Sequence, residues 1–137
     1  MKNHIYLRAY MAGVTVPTVL VVFVLACFVV LRFGYNVPIP IERGLVFPLA
    51  IVPGLWGLWN MLYIVVRRRW RIPLGVHGAI VPLFVGPLAL CNAFLLGFDI
   101  PQVALAIFPA GVAAAVLAYY LVWKYLVGFF NRMLEIG

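Results

Sequence analysis

Residues 11–31 read MAGVTVPTVLVVFVLACFVVL, an uninterrupted stretch without a single charged side chain. A helix needs about 20 apolar residues to cross a hydrocarbon layer roughly 30 Å thick, because every backbone polar group must be bonded within the helix there. Three further stretches of similar length and character follow, and they lie at residues 45–66, 74–98 and 103–123. The sequence therefore predicts an all-α integral membrane protein, an antiparallel bundle of four transmembrane helices.

The composition excludes an ordinary soluble domain. Of the 137 residues, 67% are hydrophobic and 9% are charged, whereas soluble domains average roughly 45 to 50% apolar residues. The connectors between the four stretches are short and leave no room for a separate soluble domain. We therefore expect one polytopic membrane domain over residues 1–137, with residues 126–136 as a segment that lies along the membrane surface.

The distribution of positive charge predicts the orientation. Cytoplasmic loops retain Lys and Arg, and eight of the ten basic residues lie on the side of the two termini in a four-span arrangement. Arg32 and Arg43 lie on the other side. We therefore expect both termini in the cytoplasm and a multi-pass protein of a plasma membrane, the inner membrane if the source is a bacterium.

Groups that could perform catalysis are scarce. The chain contains no serine, and its carboxylates are Glu42, Asp99 and Glu135. No pair of titratable groups is placed for acid-base chemistry, so we expect no enzyme activity, no metal and no cofactor. His77, with Gly75 and Gly78 beside it, is the one candidate for binding a haem or chlorophyll, although a histidine bonded to a carbonyl is the commoner arrangement.

Small residues recur at four-residue spacing on the third and fourth predicted spans. Helices in lipid associate by close packing over such residues, and the short connector makes these two spans antiparallel neighbours. We expect their contact to be the tightest in the fold. The residues predicted for this packing are Ala89, Ala93, Gly97, Ala110, Ala114 and Ala118.

Residues 54–60, GLWGLWN, form the most unusual segment of the chain. Gly54 and Gly57 lie one helical turn apart and open a groove, and Trp56 and Trp59 form its walls. The groove could receive a neighbouring helix or a flat ligand such as a quinone, and helix packing is the favoured interpretation. Asn60 is expected to pin two helices together by hydrogen bonding.

Four arginines directly follow the second predicted span, in the sequence RRRWR at residues 67–71. Their charge helps to orient the chain, and anionic headgroups attract basic residues at this position. The candidate residues for anionic lipid are Arg67, Arg68, Arg69 and Arg71.

Two local patterns predict polar bonds at the helix level. Thr15 and Thr18 can return their hydroxyls to carbonyls one turn earlier. Asp99, three residues before Gln102, matches a capped helix start.

These observations favour a non-enzymatic membrane protein that works by helix association, as an accessory subunit or a homo-oligomer. The expected partners are membrane lipids and other membrane helices, and loops this short do not suit nucleic acid. An alternative is a transporter or channel for a neutral or lipidic solute, acting as an oligomer and using the second and third helices, which prolines interrupt. Loss of flux on changing Asn60 or Trp56 would favour this alternative. A further alternative is a redox protein that binds a quinone or haem.

Overall fold

The computed structural model describes residues 4–38, 50–95, 97 and 99–136, and this part of the chain contains helices and no strands. Three of its helices are long and apolar enough to cross a membrane. The described part of the chain is therefore helical, and the chain is a multi-pass membrane protein, as the apolar stretches predicted. The four long helices are α1 at Ile5–Gly34, α2 at Val52–Trp70, α3 at Leu74–Leu95 and α4 at Gln102–Met133.

Helix α2 is not among the three helices that are long and apolar enough to cross a membrane. It covers the later part of the second predicted span, whose residues 45–49 lie outside the described residues. It also continues past Val66 to Trp70. The arginine side chains there interact favourably with the partial negative charge of the helix C-terminus. The helices α1, α3 and α4 are long and apolar enough to cross a membrane, and the crossing by α2 stays a prediction.

All three spanning helices contain irregular turns. Val30–Gly34 in α1 and Trp123–Val127 in α4 are wide π turns. In α3 the α-helical pattern breaks at Ile80, next to Pro82, which has no amide hydrogen to donate. Because α4 continues through its wide turn, most of the segment at residues 126–136 forms the end of that helix.

The two predicted sets of local polar bonds have different outcomes. The threonine prediction is confirmed: Thr15 and Thr18 donate their hydroxyls to the carbonyls of Met11 and Val14, each over 2.8 Å. The capping prediction for Asp99 is wrong. The N-cap residue of α4 is Pro101, and no side chain bonds the free amides there, because the proline fixes an extended backbone immediately before the helix.

The chain forms two compact units. The first comprises residues 1–65 and 130–137, and the second comprises residues 66–129. In the first unit, Ala9 and Ala12 of α1 are buried against Ile64 of α2 and Ile136 after α4. Partly buried apolar side chains surround this small core, namely Ile5, Met61, Phe130 and Leu134.

In the second unit, the first turns of α3 pack against the later part of α4. The largest fully buried side chain there is Trp123, with no exposed surface. Its ring lies against Gly78 of α3. The absence of a side chain on α3 therefore provides the space that a large side chain on α4 fills.

Candidate functional site

Helices α1 and α2 approach each other closely at two glycines. A Cβ atom added at Gly13 would lie 2.6 Å from the carbonyl oxygen of Trp56 and 2.9 Å from the Cα of Gly57. A Cβ added at Gly57 would lie 2.6 Å from the ring of Tyr10 and 2.7 Å from a methyl of Val14. Backbone meets backbone here because neither glycine holds the helices apart.

This contact occupies the groove predicted beside the two tryptophans. Tyr10 and Val14 fill the space at Gly57, and the Tyr10 hydroxyl approaches Gly54. Trp56 is buried and Trp59 is half-buried. The geometry beside Gly57 therefore favours helix packing over a flat ligand.

Asn60 forms a buried hydrogen-bonded node one turn beyond this crossing. Its Nδ2 donates to the carbonyl of Ala9 and to Oδ1 of Asn131, both over 2.8 Å. In return, Nδ2 of Asn131 donates to Oδ1 of Asn60 over 3.2 Å. Asn60 has no exposed surface, and Asn131 is 6% exposed. The node joins α1, α2 and the end of α4 within the first unit.

Asn131 is a residue that the sequence interpretation missed, because it lies in the segment expected along the membrane surface. The end of α4 also completes a Schellman motif. Ile136 donates its amide to the carbonyl of Asn131, Glu135 donates to Arg132, and Glu135 adopts a left-handed φ of 54°. Ile136 enters the apolar core beside Phe130, as the hydrophobic contact of this motif requires.

Arg8 reaches the same end of α4 from α1. One of its guanidinium nitrogens lies 3.4 Å from the carbonyl oxygen of Leu134 and 3.6 Å from a carboxylate oxygen of Glu135. The Glu135 side chain is largely exposed, so the ion pair contributes little to stability by itself. It adds a polar closure to the apolar contact of Ile136.

The predicted cofactor candidate, His77, is enclosed by protein side chains. It is 2% exposed, and its ring meets that of Trp123 edge to face with centroids 6.0 Å apart. A Cβ added at Gly75 would lie 2.9 Å from the ring of Tyr120, and one added at Gly78 would overlap Trp123. The two glycines beside His77 therefore admit aromatic side chains of α4.

The small-residue faces of α3 and α4 are placed differently from the prediction. Ala89 and Ala93 are half-buried, but the other four residues are exposed, namely Gly97, Ala110, Ala114 and Ala118. Among the described glycines, the closest contact does join these two helices, since Gly78 of α3 lies against Trp123 of α4, but it lies away from the six predicted residues. Glycine admits the aromatic rings of Tyr120 and Trp123 more closely than alanine admits alanine, so the close contact forms at Gly75 and Gly78 instead.

Beyond the aromatic contact, α3 and α4 enclose an open apolar groove of about 500 Å³. At its floor, a Cβ added at Gly86 would lie 3.1 Å from a methyl of Val112 and 3.6 Å from Phe108. At its rim, a Cβ added at Gly111 would meet no atom within 4 Å. The lining residues are Pro82, Val85, Gly86, Ile107, Phe108, Ala110, Gly111, Val112, Ala115 and Tyr119.

The candidate residues for anionic lipid lie at the end of α2, and all four arginines are exposed. Trp70, between Arg69 and Arg71, is 69% exposed. Trp123, in contrast, is completely buried. Of these two tryptophans, only Trp70 is therefore available to the surroundings of the protein.

The described residues include no group of three or more His, Cys, Asp or Glu side chains that could hold a metal ion, and Cys27 and Cys91 are free thiols. Comparison of the chain with protein-family models, with curated proteins and with solved structures finds no match.

Proposed function

We propose that this chain is a non-enzymatic membrane protein that works by helix association, as an accessory subunit or a homo-oligomer. In this proposal it crosses a plasma membrane four times and keeps both termini in the cytoplasm. The length of the second apolar stretch and the uneven distribution of the basic residues support this topology.

The observation that carries the proposal is the small-residue face of α4, formed by Ala110, Gly111, Ala114 and Ala118. All four residues are exposed, and Gln102–Val122 contains no buried residue. The bulkier side chains of Phe108 and Val112 are the ones next to Gly86 of α3, and the rings of Tyr120 and Trp123 lie against Gly75 and Gly78. The surface best suited to a close helix contact is therefore the surface that the chain itself leaves uncovered.

Physical chemistry gives this surface its significance. Lipid tails are as apolar as leucine, so helices in a membrane associate through close packing over small side chains. Alanine and glycine allow a second backbone to approach, and the open space at Gly111 leaves room for side chains of that second helix. Trp56 and Asn60, the residues expected to serve a transport pathway, are instead buried in contacts of the first unit. The geometry thus supports association better than transport.

The test compares one substitution on this face with the same substitution elsewhere on α4. Ala114→Leu places a bulky side chain on the small-residue face. Ala113→Leu is the matched control, because Ala113 is also exposed but lies about 100° around the helix. Donor- and acceptor-labelled copies in liposomes report self-association by energy transfer, and purification in mild detergent reports a stoichiometric partner.

We expect Ala114→Leu to reduce association at least about tenfold, which corresponds to a loss of about 1.4 kcal/mol. Ala113→Leu should retain the wild-type level. Equal association of both variants contradicts the proposed face. A wild-type protein that neither transfers energy above the random level nor retains a partner contradicts the proposed function.

A further inference from the structure

The end of α2 carries an arginine cluster, which we define as Arg67, Arg68, Arg69 and Arg71. The first three lie in the last turn of the helix, and the fourth follows it immediately. All four side chains are exposed, and the exposed indole of Trp70 lies among them in the sequence. The cluster therefore combines four permanent positive charges with one large amphipathic ring.

No carboxylate of the described residues neutralises this cluster. The chain contains three acidic residues against ten basic ones, and Glu135 is engaged by Arg8. Within residues 50–95 there is no Asp or Glu at all. The guanidinium groups of the cluster therefore depend on anions from outside this part of the chain.

Arg71 adopts a backbone conformation that orientation in the membrane does not require. Its φ is 50°, and its amide donates to the carbonyl of Arg67 over 3.1 Å. This left-handed helix stop is usually glycine, because a Cβ is disfavoured there. A topogenic role needs only the number of nearby positive charges. The presence of arginine at this strained position therefore indicates a use for its side chain.

We infer that the arginine cluster and Trp70 form a binding site for the phosphate of an anionic lipid headgroup. Each guanidinium presents a planar fork of donors that matches phosphate oxygens in a bidentate arrangement. Tryptophan is favoured at headgroup level, and anionic lipids attract basic residues next to a membrane helix. The site lies on α2, and it is independent of the association proposed for α4.

The experiment uses the full chain in neutral detergent, titrated with phosphatidylglycerol, and native mass spectrometry counts the bound lipids. Phosphatidylcholine is the neutral-lipid arm, and inorganic phosphate is added as a competitor. The variant R67Q/R69Q removes two charges from the cluster. The variant K124Q/R132Q removes two exposed charges from α4 and serves as the charge-matched control.

We expect phosphatidylglycerol to bind more tightly than phosphatidylcholine. R67Q/R69Q should weaken this binding roughly 10- to 30-fold, because each basic residue near anionic headgroups contributes a severalfold gain in affinity. K124Q/R132Q should retain the binding. Millimolar inorganic phosphate should leave the lipid bound. Equal losses in the two double variants, equal binding of the two lipids, or displacement of the lipid by inorganic phosphate would overturn the inference.

A second pair of variants separates a phosphate site from charge alone. Replacing all four cluster arginines by lysine preserves the net charge but removes the planar forks, so affinity should fall by about threefold or more. R71G relieves the strained backbone, so it should raise the thermal stability while weakening lipid binding. Full binding by the lysine variant, or by R71G, would overturn the site. Ala114→Leu should bind lipid normally, so the two proposals can fail separately.

Discussion

Asn60 and Asn131 lie 71 positions apart in the chain and exchange hydrogen bonds in both directions, over 2.8 and 3.2 Å. Both side chains are buried. Amide groups that lose contact with water need partners of their own, and here each amide supplies a donor and an acceptor to the other. The pair joins α2 to the end of α4, and the bond from Asn60 to the Ala9 carbonyl adds α1.

Removing both members of this pair should destabilise the protein by less than the sum of the two single losses. Asn131→Leu leaves the Asn60 amide short of a partner, and we expect a loss of about 1 to 3 kcal/mol in the free energy of unfolding. The double variant N60L/N131L replaces the pair by apolar groups, and its loss in the free energy of unfolding should be smaller than the sum of the two single losses. Unfolding of the wild type, both single variants and the double variant in mixed micelles gives the coupling energy. Strictly additive losses would show that the two amides do not depend on each other.

Alanine substitutions at two glycines should have opposite effects on the stability of the protein, because one glycine lies in the contact between α1 and α2 and the other on an exposed face of α4. Gly13→Ala places a methyl 2.6 Å from a backbone oxygen, so the helices must move apart, and we expect a loss of about 1 to 3 kcal/mol. Gly111→Ala places the same methyl in open space and should gain about 1 kcal/mol from helix propensity. The free energy of unfolding in detergent measures both. A stabilising effect at Gly13 would contradict the close crossing.

The fit of Trp123 against Gly78 predicts a compensating pair of substitutions. Gly78→Ala alone should destabilise by about 1 to 3 kcal/mol, because the added methyl overlaps the indole and the core is overpacked. In the background of Trp123→Leu the smaller side chain leaves room, so the same alanine should have little effect. Thermal unfolding of the four proteins gives the coupling energy. A penalty of equal size in both backgrounds would place the strain elsewhere.

Two substitutions at Glu135, the left-handed residue at the end of α4, separate the effect of backbone strain on stability from the effect of charge. Glu135→Ala loses the contact with Arg8 and keeps the unfavourable φ, whereas Glu135→Gly loses the contact and relieves the backbone. We expect the glycine variant to be more stable than the alanine variant by about 1 kcal/mol. Raising the salt concentration should narrow the gap between wild type and Glu135→Ala, because the ion pair is exposed. A salt-independent gap would assign the effect to packing.

The sequence predicts the helical class, the three spanning helices and the threonine bonds because these depend on local composition and spacing. Asn60 is also recognisable, since a lone amide in an apolar helix requires a partner. Its partner Asn131 is not recognisable. The segment around it mixes apolar and polar residues, and the wide turn at Trp123–Val127 that keeps α4 continuous has no periodic pattern of its own.

The residues that form the contact between α3 and α4 cannot be predicted from their spacing, for a related reason. Alanine spacing identifies a surface suited to packing but does not say which neighbour covers it. Gly78 and Trp123 form a close fit, because the missing side chain of one matches the ring of the other. Such complementarity depends on how the two helices are placed along each other, and the spacing along either helix alone does not contain that information.

The bond from Arg8 to Leu134 joins residues 126 positions apart, and this distance has a consequence for biogenesis. At a synthesis rate of about 5 to 20 residues per second, the ribosome needs roughly 6 to 25 seconds to progress from one to the other. During that interval we expect the first helix to have entered the bilayer without the residues at the end of α4 that complete the core of the first unit. A nascent chain stalled before Asn131 should therefore be inserted yet still sensitive to proteases and to quality control.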